Sequence, residues 1–269
     1  MPLTKGKDLQ LGILLNKFQS LHSLQVRFQA LTASSIEALK DFPQLRRLDL
    51  VVDGLYHDTD KAVVSSIFAL THLEKLRLDV GHHTDEDWAE FAWTKLAKLQ
   101  QLTFAASYSA PQAQYDFMSV LTGLQNLHLL YSCPTTDCLS CLSKLTCLNV
   151  HVPQNARGRL LPGLHLITGL RSLKIDGVPF KSSLLTLTAL SELTSLGFWP
   201  DPYRFGCISK CPVRYASRLC RLRKLQHLRC AFVDGDKFVS AQLTHKSTYR
   251  KPMTMPGSPI TICFNLWKA

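Results

Sequence analysis

The sequence lacks the features of a membrane protein and of a disordered one. No apolar run approaches the ~20 residues that a membrane-spanning helix needs. The short apolar run at residues 9–15 ends at Lys17 and is not followed by a signal-peptide cleavage site. Charged residues make up only 19% of the 269 residues and apolar residues 46%, which is ample for a core. We therefore expect a folded chain without a membrane span.

Catalytic signatures are missing as well. The sequence contains no Gly-x-Ser-x-Gly, no Walker-type phosphate loop and no His-Glu-x-x-His motif. Its scattered Ser, His and Asp residues share no spacing that would align a nucleophile with a base. These absences predict a protein that is not an enzyme and that binds no cofactor.

Acidic residues are almost missing from the last quarter of the chain. Residues 204–269 contain 13 Lys and Arg but only Asp234 and Asp236, which accounts for the whole formal charge of +11. Residues 1–203 are balanced, with 18 basic and 18 acidic residues. Such asymmetry is compatible with binding to nucleic acid or to another anionic surface, although a solvated basic face is the simpler explanation.

Nine cysteines, an odd number, offer no clear metal site. Cys138 and Cys141 have the spacing of zinc ligands, but no second matched pair follows them. The cysteines at 207, 211 and 220 and the His/Asp/Glu run at 82–87 also carry metal-binding groups without a fixed geometry. We expect reduced structural thiols, no metal, and a cytoplasmic or nuclear location.

One hexapeptide, Leu-x-x-Leu-x-apolar, recurs along the chain. Its nine copies begin at Leu21, Leu45, Leu73, Leu99, Leu124, Leu145, Leu170, Leu193 and Leu225, in steps of 21 to 32 residues. In a strand, positions four and six of the hexapeptide face one side, and positions three and five face the other. One such strand cannot bury its apolar side alone. Nine parallel strands about 4.8 Å apart would form a continuous core roughly 40 Å long.

This period and motif resemble those of leucine-rich repeat proteins over residues 21 to about 240. The resemblance implies an α/β solenoid, with a curved parallel sheet of about nine strands and with short helices or irregular turns on its convex side. The asparagine that usually follows the strand is absent, as in the irregular repeats of intracellular plant, algal or F-box-type proteins. We expect residues 1–20 to form a flank or partial cap, 21–240 the repeats, and 241–269 a flexible basic tail containing prolines.

The segments between the copies carry helical patterns. Short helices are predicted at residues 34–40, 60–70, 85–96 and 182–190. In the third of these, Trp88, Phe91, Ala92 and Leu96 are predicted to share the apolar side. Gly123 and Gly169, which directly precede a hexapeptide, are predicted to end helices with a positive φ.

The resemblance implies that the concave side of the sheet binds another protein or peptide. The candidate residues are the polar and aromatic ones expected to point outward: Arg47, Asp49, Lys75, Arg77, Gln101, Asn126, His128, Asn149, Lys174, Trp199, His227 and Arg229. The predicted function is a monomeric, non-enzymatic protein-binding scaffold. One alternative is the substrate-recognition part of a cullin-type ubiquitin ligase, although only 20 residues precede Leu21 and an F-box needs more. The other is anionic-surface or nucleic-acid binding through the basic C-terminal quarter.

Overall fold

The fold was analysed in a computed structural model of the chain. It describes residues 20–28, 38–52, 65–79, 91–105, 112–130, 137–152, 164–177, 187–199, 222–234 and 237–244. The predicted flank at 1–20 and tail at 241–269 lie almost entirely outside the described residues, as does the His/Asp/Glu run at 82–87. The tail and the flank therefore stay predictions.

The described strands form one ten-stranded sheet in which neighbours in sequence are neighbours in space. The strands are β1 (Ser23–Phe28), β2 (Arg47–Val52), β3 (Lys75–Asp79), β4 (Gln101–Ala105), β5 (Asn126–Leu130), β6 (Cys147–Val152), β7 (Ser172–Gly177), β8 (Ser195–Trp199), β9 (His227–Asp234) and β10 (Lys237–Thr244). The first nine are parallel, and each begins at position three of a hexapeptide. This confirms the predicted nine-strand parallel solenoid.

The register aligns the same hexapeptide position on every strand. Leu148, for example, pairs with Leu127 on one side and Leu173 on the other. Leu148 is fully buried, like Val150 two residues later. Positions four and six therefore form two continuous apolar rows, and only stacking removes them from water.

A second apolar pattern leads into each strand. The Leu142 N–H donates to the Leu139 carbonyl at 3.1 Å, and the Leu145 N–H donates to the Leu142 carbonyl at 3.0 Å. Bonds that span three residues stack every third side chain on one side, as in a 3-10 helix. All three leucines are fully buried. The repeat therefore begins six residues before the hexapeptide, which sequence analysis did not recognise.

The described parts of the convex side contain short 3-10 segments. They span Ala38–Asp41, Trp93–Leu96, Gln112–Val120, Asp137–Cys141 and Leu164–Leu166. Residues 65–67 form one helical turn. Where the predicted helices overlap described residues, the structure has 3-10 segments at 38–41 and 93–96 and helical residues at 65–67.

Trp93 corrects one predicted apolar side. In the 3-10 segment, Trp93 and Leu96 lie three residues apart and are both buried, whereas Ala92 is exposed. The Trp93 ring stacks on Phe117, with 4.0 Å between ring centroids, and contacts Phe68 edge-on at 4.7 Å. The helical period used for the prediction selected Ala92, because it assumed 3.6 residues per turn instead of three.

A backbone ladder joins neighbouring repeats at position two of the hexapeptide. At its first step, the N–H groups of Arg46 and Arg47 both donate to the His22 carbonyl, at 2.9 and 3.1 Å. The same two-to-one arrangement recurs at every later step and ends at the Thr194 carbonyl. The ladder uses main-chain atoms, so it places no demand on the residue at position two. It provides continuous links between turns in a chain without an asparagine ladder.

Neither glycine before a hexapeptide has the predicted positive φ. A Cβ added to Gly123 would lie 3.5 Å from the Ala97 carbonyl oxygen, and one added to Gly169 would lie 3.9 Å from that of Ser143. Both are ordinary contact distances. The prediction was wrong because the turn before the strand closes through three-residue bonds and needs no left-handed residue.

β10 was not predicted. It pairs antiparallel with β9, with Lys237 opposite Asp234 and Thr244 opposite His227. The dipeptide Asp234-Gly235 between two β-type runs is a recognisable hairpin signal. β10 also spans residue 240, where the end of the repeats was expected. The described residues contain no helix long and apolar enough to cross a bilayer.

Candidate binding surface

The face of the sheet opposite the leucine rows carries the candidate residues. We call it the concave face and define it as the strand residues at repeat positions three, five and seven. Parallel register turns these positions into three rows that cross the sheet at about 4.8 Å per strand. Nine in-register hexapeptide strands on one apolar core decide the fold. The chain forms a leucine-rich repeat solenoid.

Each of the twelve candidate residues lies at a register position of this face. The first row contains Arg47, Lys75, Gln101, Asn126 and His227, and the second contains Asp49, Arg77, His128, Asn149, Lys174 and Arg229. The backbone of Trp199 lies in the third row, opposite that of Asp176. The predicted positions on the strands are correct, and the binding role of these residues stays a prediction.

An ionic cluster occupies the second and third rows on β2 and β3. The Arg77 Nε lies 3.6 Å from Asp49 Oδ1 across the strands, and Arg77 Nη2 lies 3.7 Å from Asp79 Oδ2 on the same strand. The side chains are partly exposed, so each pair contributes about 0–1 kcal/mol to stability. The cluster holds the guanidinium in place at little cost to the fold.

A second ionic pair lies on β7. The Lys174 Nζ donates to Asp176 Oδ2 at 2.8 Å. Lys174 is in the second row and Asp176 in the third, two residues apart on the same side of the strand. The two ionic clusters are thus separated by the three strands β4, β5 and β6.

Those three strands form an uncharged stripe. Their concave-face residues are Gln101, Thr103, Ala105, Asn126, His128, Leu130, Cys147, Asn149 and His151. None is Asp, Glu, Lys or Arg. The side chain of Leu130 is part-exposed on this face, so the stripe offers a partner both apolar area and hydrogen-bonding groups.

His128 lies in the middle of the stripe, between Thr103 and Asn149. Burial lowers the pKa of His128 below its usual 6.5, and the positive charges of Lys174 and Arg77 act in the same direction. The carboxylate of Asp176 opposes them. The imidazole is therefore neutral at pH 7, and the stripe stays uncharged.

Four buried polar atoms of the concave face make no hydrogen bond with the described protein. They are Asp49 Oδ1, Arg77 Nε, Asn149 Oδ1 and Asp176 Oδ1. Asp49 and Arg77 face each other as an ion pair, yet at 3.6 Å they are too far apart for a good hydrogen bond. Buried polar groups are normally paired, and these four atoms lie together on one face of the sheet.

Sequence analysis missed Asp79, Leu130 and Asp176. All three lie at position seven, one residue beyond the hexapeptide. The signal was present, because the alternation of sides continues for as long as the strand does. Position seven was represented in the candidate set by Trp199 alone, so the acids that pair with Arg77 and Lys174 were left out.

Three cysteines of the fifth and sixth repeats lie where the sequence suggested. Cys147 is the first residue of β6, and Cys138 and Cys141 lie in the preceding 3-10 segment. None of the three forms a disulfide; Cys138 is buried and Cys141 exposed. Within the described part of the chain, no three His, Cys, Asp or Glu residues come together as a metal site.

The comparisons with known proteins concern the fold alone. No protein-family model matches the sequence, and no curated protein matches it significantly. Among solved structures, an internalin C2 of Listeria monocytogenes is 19% identical over 70% of this chain and 77% of its own, with a TM-score of 0.46. An internalin InlF of the same species is 17% identical over 83% and 81%, with a TM-score of 0.45. The Arabidopsis receptor kinase HAESA, bound to the peptide hormone IDA and the co-receptor SERK1, is 17% identical over 81% and 35%, with a TM-score of 0.48.

Proposed function

We propose that this chain is a non-enzymatic scaffold that binds another protein through the concave face. The observation that carries the proposal is the set of four buried polar atoms on that face without a hydrogen-bond partner in the described protein. Two of them, Asn149 Oδ1 and Asp176 Oδ1, are not paired with each other, and each carries a desolvation cost of about 1–3 kcal/mol while it stays without a hydrogen bond. A bound partner that forms hydrogen bonds with these atoms would remove this cost, and the free energy gained would favour binding.

The uncharged stripe is the centre of the proposed interface. Its residues are held rigidly by paired strands on both sides, so binding them costs little ordering. Interface centres are generally depleted of charge, and charged groups lie towards the rim. The stripe and the two ionic clusters beside it have this arrangement.

A matched pair of substitutions in one repeat tests the proposal. Thr103→Arg places a bulky charge on the stripe, beside His128, whereas Thr94→Arg places it on the exposed convex side. We expect proteins captured from the source cell to be lost with Thr103→Arg and retained with Thr94→Arg, as measured by quantitative mass spectrometry. The proposal is wrong if both variants capture the same proteins in the same amounts as the wild type.

We further propose an intracellular, monomeric protein without a cofactor. The free thiols of Cys141 and Cys147 support a reducing compartment. The ubiquitin-ligase alternative has no support among the described residues. The alternative of nucleic-acid binding through the basic quarter concerns residues 204–269, of which 204–221 and 245–269 lie outside the described ranges.

A further inference from the structure

The first row of the concave face contains no acidic residue on any of its nine strands. From β1 to β9 it reads Ser23, Arg47, Lys75, Gln101, Asn126, Cys147, Ser172, Ser195 and His227. All the acids of the face lie in the second and third rows, at Asp49, Asp79 and Asp176. The charges are therefore sorted by row.

Arg47 and Lys75 are directly opposite each other on β2 and β3. Like charges in this arrangement repel, and a sheet normally avoids them. Neither side chain takes part in the ion pairs of the described residues, because Asp49 is engaged by Arg77 and Glu74 by Arg46. Within the described ranges, the fold thus holds two cations side by side that form no ion pair.

The row continues with two amides. Gln101 and Asn126 follow Lys75 on β4 and β5, and both side chains are half-buried. Among the described residues, neither side chain has a hydrogen-bond partner. Carboxamides donate through their NH2 groups, so all four side chains from Arg47 to Asn126 can donate to an anion. At about 4.8 Å per strand, this row is about 14 Å long.

We propose that the row Arg47–Lys75–Gln101–Asn126 binds an acidic segment of the partner protein, through the carboxylates of Asp or Glu side chains. This inference rests on the proposed function and names the chemistry of its partner. An extended segment places alternate side chains about 7 Å apart, so the row accommodates three consecutive ones on the same side. A carboxylate between Arg47 and Lys75 would remove their repulsion and accept charge-assisted hydrogen bonds from both.

The neighbouring rows favour a peptide over a nucleic acid. A phosphodiester backbone carries a charge at every nucleotide and would cover Asp49 and Asp79 as well as the first row. A peptide can place its carboxylates on the first row alone and present neutral groups to the second and third. The separation of cations and acids into different rows therefore favours a partner whose negative charges are few and lie apart from one another.

Binding of a defined peptide tests the inference. The probe is a fluorescein-labelled peptide, Gly-Glu-Ser-Glu-Ser-Glu-Gly with an amidated C-terminus, and its control carries Gln in place of each Glu. We expect the Glu peptide to bind at least about tenfold more tightly in fluorescence anisotropy at physiological salt. Equal affinities of the two peptides would overturn the inference.

Charge reversal at Lys75 locates the site. Lys75→Glu removes one cation and places an acid opposite Arg47, so we expect binding of the Glu peptide to fall about tenfold while the Tm does not decrease. Lys144→Glu, at an exposed turn, makes the same change in net charge and should leave binding unaltered. Equal losses in both variants would show a general effect of charge and contradict the assigned site.

Two further outcomes separate this inference from the proposed function. If an oligothymidine competes for the row and is lost with Lys75→Glu, the partner is a nucleic acid and the inference is wrong. If Thr103→Arg loses captured proteins but the Glu peptide does not bind, the concave face is an interface and the acidic chemistry alone is refuted.

Discussion

The two faces of the sheet carry opposite kinds of information. On the buried face, positions four and six repeat the same residue types from β1 to β8, and their side chains from β2 to β7 are completely enclosed. On the concave face, positions three, five and seven repeat nothing: ionic clusters on β2–β3 and β7 flank an uncharged stripe on β4–β6. Residues that stabilise the fold and residues proposed to bind a partner thus alternate along each strand, because neighbouring strand residues point to opposite sides.

The first prediction tests how strongly the buried side depends on single residues. Trp93→Ala should lower the free energy of unfolding by about 3–5 kcal/mol, since Trp93 is enclosed by Phe68, Phe104 and Phe117 and its loss leaves a large cavity. Urea unfolding followed by circular dichroism measures the change. The neighbouring exposed residue provides the control, as Thr94→Ala should stay within about 0.5 kcal/mol of the wild type.

The second prediction compares two adjacent residues of β6. Leu148→Ala removes a fully buried side chain between Leu127 and Leu173 and should cost about 2–5 kcal/mol. Asn149→Ala removes an amide whose buried oxygen is unpaired within the described protein, so it should cost less than about 0.5 kcal/mol or stabilise slightly. The same unfolding experiment measures both. Equal losses would mean that the concave face also maintains the fold, against the proposed division.

The third prediction concerns the smallest effect, the pH dependence due to His128. Its pKa is lower in the folded protein than in the unfolded chain, so below about pH 6.5 the unfolded chain takes up more protons. The free energy of unfolding should therefore fall as the pH drops from about 6.5 through the lowered pKa. Above pH 6.5, His128 should cause no such loss of stability.

His128→Gln removes that contribution while keeping a polar side chain. The urea midpoint of the variant should change less between pH 7.5 and pH 5.5 than that of the wild type. The same substitution at His165, which is exposed in a 3-10 segment, is the control. If His128→Gln keeps the full wild-type pH dependence, burial does not lower the pKa of His128 in the folded protein, and the prediction is wrong.

Much of the architecture was predictable, because the repeat acts locally. The first leucine of each hexapeptide predicted a strand that begins two residues later. The first such pair is Leu21 and Ser23, and the last is Leu225 and His227. The outward positions followed from alternation alone. Alternation does not say which residues of different strands are neighbours. The contact of Arg77 with Asp49 and the juxtaposition of Arg47 with Lys75 therefore followed only from the register of the sheet.

Two of the errors share one cause, which is the assumption of standard helical geometry outside the strands. Three-residue bonding moved Trp93 inward instead of Ala92 and removed the need for a positive φ at Gly123. The hairpin partner β10 was missed because the search was for parallel repeats, and an antiparallel strand carries no hexapeptide.

By itself, the sequence determined that nine strands form, which residues enter the core and which face outward, because side-chain period and hydrophobicity are properties of each strand alone. Only the tertiary structure decided which outward residues are neighbours. Stacking converted positions that are about 25 residues apart in the chain into rows about 4.8 Å apart in space. Charge, pairing and unpaired polar atoms on the concave face all depend on that conversion, and so does any partner that the face binds.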